Sequence, residues 1–528
     1  MMEEFVSLGK WWLPNSPEVV VSGKLSFSPS NGARLELIGS FYDSQFQEIG
    51  KAKDLLPAGE ILPFENAKIT EESIELDFIK PEETIILGLL EDNEEVTLYK
   101  CSGSIRNFEF VKSRPNLFFQ ATYVLRKIHF QTEQEIKFKS VSIRYSHLEE
   151  WIGKSGVQAI WAGEENKIWI SYQPPASILL AEVEGLDISV TFSQISVNPF
   201  DICFGATYYK GNVEQKTFLT LQNPKNKSID RCIELIIHFR DFLSFAMSKP
   251  SSMTAVTGNV DVTYEKPILK DDGSYSTEVE TRETQVNILF AIWNSEKHSK
   301  IKISLHEMLF VYSDVEDKLG IVFKEWLHKK EIYEAVFELF MTTMYTPSLY
   351  LHYRFLNMIQ ALEVYHSNKY ESMYQDKRVY KTGLYKKFLE VLETFPSEGV
   401  DKENGISDEF RNALKGKLKS QTRFTLETKL KEILSDVFSL LPNNFIGNVE
   451  DRELFSHRAS ETRNALTHND KEKRKQTARG QELSHLFHTL TVILQTCLLR
   501  ELNLTDESIK ILVERNREYQ NEWRPSSN

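Results

Sequence analysis

The chain has 528 residues, of which 41% are apolar and 26% are charged, the composition of a folded soluble protein. This length exceeds what one hydrophobic core usually organises, so we expect two or three domains. Membrane and export signals are both lacking, because no stretch reaches the roughly 18 apolar residues of a span and the N-terminal residues are not basic and then apolar. We expect a cytoplasmic protein with no membrane partner. The formal net charge of −13 argues against nonspecific binding of nucleic acid across the whole protein surface.

The four cysteines lie far apart and form no Cys-x-x-Cys pair. We expect reduced, mostly buried thiols, and neither a disulfide framework nor a zinc site. The sequence also lacks glycine-rich nucleotide-binding loops and the motifs of serine and metal hydrolases, so it predicts no cofactor. The cysteines are Cys101, Cys203, Cys232 and Cys497.

Residues 19–222 show a period of two in their apolar side chains, which is typical of β-strands. Residues 21–27 and 34–41 flank Asn31-Gly32, a pair that favours the positive φ angles of a hairpin turn. Many short strands separated by Gly, Asn and Pro favour an antiparallel sandwich or a similar β architecture. Further strands are predicted at residues 84–90, 96–101, 117–130, 135–145, 167–173, 187–192 and 216–221.

Residues 228–249 interrupt this pattern, because apolar side chains recur there at helical spacing and Pro250 closes the segment. Asn226 or Ser228 offers the N-cap. We therefore predict one long helix inside the β-rich part. Strands are predicted again at residues 255–264, 278–291 and 300–305.

From about residue 313 the apolar side chains follow a helical period. Helices are predicted at residues 315–330, 331–345, 349–370, 386–395, 408–415, 425–441, 449–468 and 481–502. The predicted domains are a β-rich domain over residues 1–310 and a helical domain over residues 311–520. The fold class is therefore α+β multidomain, with an all-α bundle at the C-terminal end.

The end of the predicted helix 449–468 carries the polar residues Arg463, Asn464 and His468. His468 falls in the last turn, where the helix dipole favours the imidazolium and makes the ring a plausible general acid or base. Arg463 carries a planar fork that matches phosphate oxygens. An arginine for the phosphate charge and a histidine for the 2′-hydroxyl proton suffice for metal-independent RNA cleavage. The predicted apolar stripe of the helix consists of Leu454, Phe455, Ala459, Thr462, Ala465 and Leu466.

The spacing of arginine and histidine is not specific by itself, because Arg452 and His457 repeat it on the same helix. On an ideal helix, the side chains of Arg463 and His468 point about 140° apart. One copy of the chain would bring them together poorly. We therefore predict a homodimer or higher homo-oligomer that pairs two copies of the motif.

The Arg463-Asn464-x-x-x-His468 pattern at a helix end, followed by a second apolar helix, resembles the active-site motif of HEPN ribonucleases. Residues 355–363 and 497–504 are similar to the first and last helices of ApeA-like HEPN domains. With a β-rich part in front, the whole chain resembles the ApeA anti-phage defence proteins.

This resemblance implies an endoribonuclease that leaves 2′,3′-cyclic phosphate ends and arrests growth during infection. Arg463, Asn464 and His468 would be catalytic, and Glu363 would orient Arg463 or His468, the alternative for Glu363 being an ordinary surface carboxylate. The substrate would be RNA, with tRNA among the candidates. The N-terminal domain would sense a phage-derived trigger or restrain the nuclease.

Two basic runs could supply the local surface that RNA requires. The first follows His468 directly, and the second lies within residues 415–431. Such runs are also common as solvated faces without a ligand, so both interpretations stay open. The first run contains Lys471, Lys473, Arg474, Lys475 and Arg479.

A second hypothesis belongs to another class: an inactive helical scaffold attached to a β domain that binds carbohydrate or protein. Aromatic residues of the β-rich part would either form the binding row or pack in the core. The acidic balance favours this alternative modestly, and the complete motif favours the nuclease more strongly. The aromatic residues are Trp11, Trp12, Trp151, Trp161, Trp169, Tyr208 and Tyr209.

Overall fold

The structure is a computed structural model with two compact units. The first comprises Met1–Leu305 and Val311–Gly320, and the second comprises His306–Phe310 and Ile321–Asn528. The structure describes residues 4–41, 67–69, 74–76, 85–106, 116–162, 167–193, 215–224, 227–269, 275–292, 303–370, 382–398, 403–420, 424–442, 445–468 and 477–520.

The first unit is built mainly from β-strands. They are β1 (Phe5–Leu13), β2 (Ser16–Ser28), β3 (Gly32–Ile38), β4 (Ala67–Ile69), β5 (Ile74–Leu76), β6 (Ile86–Leu90), β7 (Glu95–Arg106), β8 (Asn116–Arg126), β9 (Ser140–Tyr145), β10 (Val157–Ala162), β11 (Lys167–Tyr172), β12 (Ile178–Val183), β13 (Leu186–Phe192), β14 (Thr217–Gln222), β15 (Met253–Leu269) and β16 (Tyr275–Phe290). Its helices are α1 (Leu148–Ile152), α2 (Ile229–Met247) and α3 (Tyr312–Val315).

Six antiparallel strands close into a barrel in the order β8-β3-β2-β1-β6-β7, because β7 pairs with β8 as well as with β6. Alternate side chains fill the interior, and Trp11, Leu35 and Phe119 are buried there. Gly88 lies opposite Trp11, and a Cβ at this position would come within 2.2 Å of the indole ring. A side chain larger than glycine would therefore displace Trp11.

Beyond the barrel, the sheet continues from β8 through β16, β15, β9, β14, β13 and β12. Helix α2 packs on β9, where the Tyr145 hydroxyl donates to the Ile236 carbonyl at 2.7 Å. The predicted long helix is thus confirmed, and the Ser228 side chain caps it by accepting from the Arg231 amide. The predicted antiparallel architecture takes the form of a barrel with an open extension.

Several local predictions for the β-rich part were incomplete or wrong, and the strands β10 and β12 were not predicted. β1 was not predicted, although exposed and less exposed residues alternate along its first half. The strand expected at residues 300–305 is not formed in the described residues 303–305, because a 3₁₀ helix begins at Leu305.

The aromatic and cysteine side chains that the structure describes lie mostly in cores. Trp11 and Trp151 are fully buried, which supports the core interpretation for these two. The side chains of Trp161, Trp169, Tyr208 and Tyr209 lie outside the described residues, as does Cys203. The buried thiols are those of Cys101, Cys232 and Cys497.

The second unit is helical, as predicted, and its first helix begins at the division between the units. The helices are α4 (Leu319–Ile332), α5 (Glu334–Tyr345), α6 (Leu351–Tyr370), α7 (Thr382–Glu393), α8 (Asp408–Ser420), α9 (Leu426–Val437), α10 (Val449–His468), α11 (Gly480–Glu501) and α12 (Asp506–Arg515). The helix α12 was not predicted. Within the described residues, no helix combines the length and apolar content needed to span a membrane.

Helix α6 is the central element of this unit, because it packs against α5, α9, α10 and α11. Its side chains Phe355, Leu362 and Tyr365 are buried. The predicted α+β multidomain class is therefore confirmed, with an antiparallel β-rich part followed by a helical bundle. The candidate site lies where α6 meets α9 and α10.

Candidate active site

Helix α10 carries the motif and begins at a reciprocal cap. The Asn448 amide donates to the Asp451 carboxylate, and the Asp451 amide donates back to the Asn448 side chain, each at 3.0 Å. Of the predicted apolar stripe, Phe455, Ala459, Thr462 and Ala465 are buried and Leu466 is partly exposed. Leu454 is 46% exposed, so its assignment to the buried stripe was wrong. It precedes Phe455 by one residue, which turns it about 100° away on the helix.

Arg463 lies on the partly exposed side of α10 and makes two hydrogen bonds. Its guanidinium donates to the Asn464 side-chain oxygen at 3.0 Å and to the Glu363 carboxylate at 3.2 Å. The Arg463 side chain is 32% exposed. Its position is therefore held from one side while solvent reaches the other, as a phosphate-binding arginine requires.

Glu363 links Arg463 to a second cation. The Lys429 ammonium lies 3.4 Å from the other oxygen of Glu363 and donates to the Ser367 hydroxyl at 3.0 Å. The Glu363 carboxylate thus contacts two positive groups, one from α9 and one from α10. The local charge of these three side chains is +1, which suits an anionic ligand.

The contact between Glu363 and Lys429 is the first rung of a polar ladder between α6 and α9. The next rung joins the His366 imidazole to the Glu432 carboxylate at 2.9 Å. In the third, the Tyr370 hydroxyl donates to Asp436 at 2.6 Å. Because partners advance by three or four residues on both helices, the two helices run parallel along this face. The ladder fixes Glu363 in position.

The middle rung carries a buried histidine. His366 is 1% exposed, and this burial lowers the pKa of its imidazole, although the Glu432 carboxylate opposes the shift. Burial disfavours the charged form of a histidine because the imidazolium loses its hydration. The neutral ring is therefore the favoured form in the folded protein.

The described part of the site brings Arg463, Asn464 and Glu363 together. His468 is the last residue of α10, and its side chain lies outside the described residues. The basic residues Lys471, Lys473, Arg474 and Lys475 lie outside them as well. Residues 463–468 belong to the regular α-helix α10. The prediction that the side chains of Arg463 and His468 diverge depends on this helical geometry.

The other arginine and histidine pair on α10 has different surroundings. The Arg452 guanidinium lies 3.7 Å from the centre of the Phe438 ring, and the exposed His457 contacts Glu427 at 3.1 Å. This pair has the same spacing on the same helix as Arg463 and His468. It therefore offers matched controls for variants of the motif.

The sequence placed Lys429 only in the second basic run. Whether this run binds RNA or is a solvated face stayed open. The Lys429 side chain is 14% exposed and is engaged by Glu363. Within the same run, Lys415 pairs with Glu393 and Lys431 with Glu427. These intramolecular ion pairs favour a structural role for the run. No motif marks Lys429, because its partner lies 66 residues earlier on another helix.

Two family models of known proteins match separate parts of the chain. A family model described as ApeA N-terminal domain 1 matches residues 7–326. A second one, described as Apea-like HEPN, matches residues 356–508 and includes Glu363, Lys429 and Arg463. No curated protein and no solved structure matches the chain.

Proposed function

Because the chain belongs to the ApeA N-terminal domain 1 family and carries an Apea-like HEPN domain, we propose that it is a metal-independent endoribonuclease of anti-phage defence. The observation that carries this proposal is the partly exposed Arg463, oriented by Asn464 and Glu363 on the helix that ends at His468. We also propose residues 1–310 and 311–520 as the limits of the sensor and nuclease domains.

In the proposed reaction, the 2′-hydroxyl oxygen of a ribose attacks the adjacent phosphorus. His468 takes part in proton transfer at the 2′-hydroxyl or at the leaving 5′ oxygen. The bond between phosphorus and the 5′ oxygen breaks, and the products carry a 2′,3′-cyclic phosphate and a 5′-hydroxyl. Arg463 stabilises the charge on the phosphate, and Asn464 positions the phosphate or His468.

Glu363 acts on Arg463 rather than on the substrate in this proposal. It accepts from one nitrogen of the guanidinium, which limits the rotation of the side chain. Lys429 balances the charge of Glu363, so the carboxylate does not cancel the positive potential of Arg463. Lys471, Lys473, Arg474 and Lys475 would hold the RNA backbone next to the site.

The divergence of Arg463 and His468 along α10 supports a composite site made by two copies of the chain. A mixture of Arg463→Ala and His468→Ala chains, unfolded and refolded together or co-expressed, tests this directly. If each site uses residues of both copies, some mixed dimers contain one intact site and regain activity. A monomer that still cleaves RNA, measured by sedimentation and activity on the same sample, would contradict the composite site.

The β-rich domain would sense infection or restrain the nuclease, since an unrestrained cytoplasmic ribonuclease would kill its host. The alternative is a binding protein with an inactive helical scaffold. Cells carrying wild type, His468→Ala or the matched control His457→Ala are challenged with phage, and survival and RNA integrity are measured. The nuclease proposal predicts loss of protection and of RNA cleavage in His468→Ala alone. Protection retained by His468→Ala would favour the binding protein.

A further inference from the structure

A cavity of about 530 Å³ opens beside the end of α10, between the start of α6 and the start of α11. This volume lies within the roughly 300–1,000 Å³ of small-molecule sites. Buried apolar groups form much of the wall, including Ala465, Ala478 and Leu483. The other lining residues in the described part of the chain are His352, Tyr353, Leu356, Leu466, Thr477, Arg479 and Gly480.

Two aromatic residues, His352 and Tyr353, line the α6 side of this cavity, and Tyr350 lies beside His352. The His352 ring lies 4.2 Å from the Tyr353 ring and stacks on Tyr350 at 5.7 Å, measured between ring centres. Tyr350 is 74% exposed and Tyr353 is 50% exposed. Exposed aromatic side chains beside an apolar cavity are suited to stacking with a flat ring.

The opposite side of the cavity is the start of α11. The Ala478 amide donates to the Thr462 hydroxyl at 3.3 Å, which holds this start against α10. Arg479 is the N-cap, and Gly480 is the first residue of the helix. Both residues line the cavity, so an arginine residue and the positive end of a helix dipole lie across it from the aromatic side. Such an edge suits a phosphate.

The cavity also lies close to the motif along α10. Its lining residues Ala465 and Leu466 precede His468 by three and two residues. At about 1.5 Å of helix rise per residue, this separation is 3–4.5 Å along the axis. A nucleotide held in the cavity would therefore have its phosphodiester within reach of the end of α10.

We propose that this cavity binds one unpaired base of a single-stranded RNA, stacked on Tyr353 and His352, with a neighbouring phosphate at the start of α11. The assignment rests on the proposed nuclease function and specifies its substrate as unpaired RNA. A base in a duplex cannot enter, because its faces are covered by its neighbours.

The test uses the full-length protein and a fluorescent single-stranded oligonucleotide of eight uridines, uniformly 2′-O-methylated so that it cannot be cleaved by the proposed reaction. Fluorescence anisotropy gives its Kd for wild type, Tyr353→Ala, Tyr353→Phe and His352→Ala. The matched control is Phe388→Ala, because Phe388 is an aromatic residue of α7 that is 47% exposed and does not line the cavity. Thermal unfolding verifies that each variant is folded.

We expect Tyr353→Ala to weaken binding roughly five- to a hundredfold, as for the loss of one stacked base. The Kd values of Tyr353→Phe, which keeps the ring, and of Phe388→Ala should stay within about twofold of the wild-type value. A twofold change is smaller than the effect of losing one stacking interaction. A 2′-O-methylated duplex should fail to displace the probe. Equal Kd values for wild type, Tyr353→Ala and His352→Ala would overturn the assignment, as would displacement by the duplex.

Cleavage of total RNA, measured in parallel, separates this assignment from the nuclease proposal. If Tyr353→Ala selectively loses the probe, wild type leaves RNA intact and cells carrying His468→Ala keep their protection against phage, the cavity assignment stands and the nuclease proposal fails. If wild type cleaves RNA and Tyr353→Ala both binds and cleaves like wild type, the nuclease proposal stands and the cavity assignment fails.

Discussion

The Glu363 carboxylate accepts a hydrogen bond from the Arg463 guanidinium at 3.2 Å, which joins the central helix α6 to the motif on α10. The other carboxylate oxygen of Glu363 contacts Lys429 on α9 at 3.4 Å. Three helices thus converge on one carboxylate. This arrangement orients a cation that would otherwise sample several rotamers at the surface.

The contact between Glu363 and Arg463 predicts a kinetic effect. Replacing Glu363 with Ala should lower kcat about 10- to 100-fold and change KM little, because Arg463 keeps its charge but loses its orientation. In a background of Arg463→Ala, the same replacement should have almost no further effect. The matched control is Glu461→Ala, since Glu461 is a carboxylate of α10 that contacts His457. Additive effects of the two replacements would contradict an orienting role.

The basic run after His468 predicts a salt dependence of RNA binding. Each lysine or arginine that contacts a phosphate of single-stranded RNA contributes about −0.7 to the slope of log K against log salt. Replacing Lys473, Arg474 and Lys475 with Ala should therefore reduce the slope by about 2. Replacing Lys415, which pairs with Glu393, should leave it unchanged. An unaltered slope in the triple variant would remove this run from the RNA surface.

Because the His366 imidazole is buried, we predict that the helical unit loses stability in mild acid. Burial lowers the pKa of this imidazole below the ordinary 6.5, so the unfolded chain binds more protons than the folded one just below that pH. The free energy of unfolding should therefore fall as the pH drops below about 6.5. His366→Gln cannot titrate and should flatten this dependence by up to about 1.4 kcal/mol per pH unit, the effect of one proton. Thermal unfolding across this pH range measures it, and identical slopes would refute the prediction.

Local sequence patterns predicted the elements that depend on neighbours in the chain. The helix at residues 449–468 and the Ser228 cap of α2 follow from apolar spacing and capping chemistry, and both are found. The hairpin at Asn31-Gly32 is also found, with Gly32 at a φ of +74°. These features need only a few consecutive residues to be specified.

Features that depend on distant pairings could not be predicted in this way. Barrel closure requires β3 to pair with β8, which places Leu35 opposite Phe119, and alternation along a strand does not specify its partner. Lys429 meets Glu363 because α6 and α9 run parallel, a packing outcome that no motif records. The aromatic side of the cavity likewise depends on how the start of α6 meets α10 and α11.

The central claim is that His468 and Arg463 cleave RNA without a metal ion. Purified wild type, His468→Ala and the matched control His457→Ala are incubated with total RNA in EDTA, and the end groups of the fragments are analysed. We predict fragments with 2′,3′-cyclic phosphate and 5′-hydroxyl ends from wild type and His457→Ala, and intact RNA with His468→Ala. Equal cleavage by His468→Ala, or fragments with 5′-phosphate ends, would contradict it.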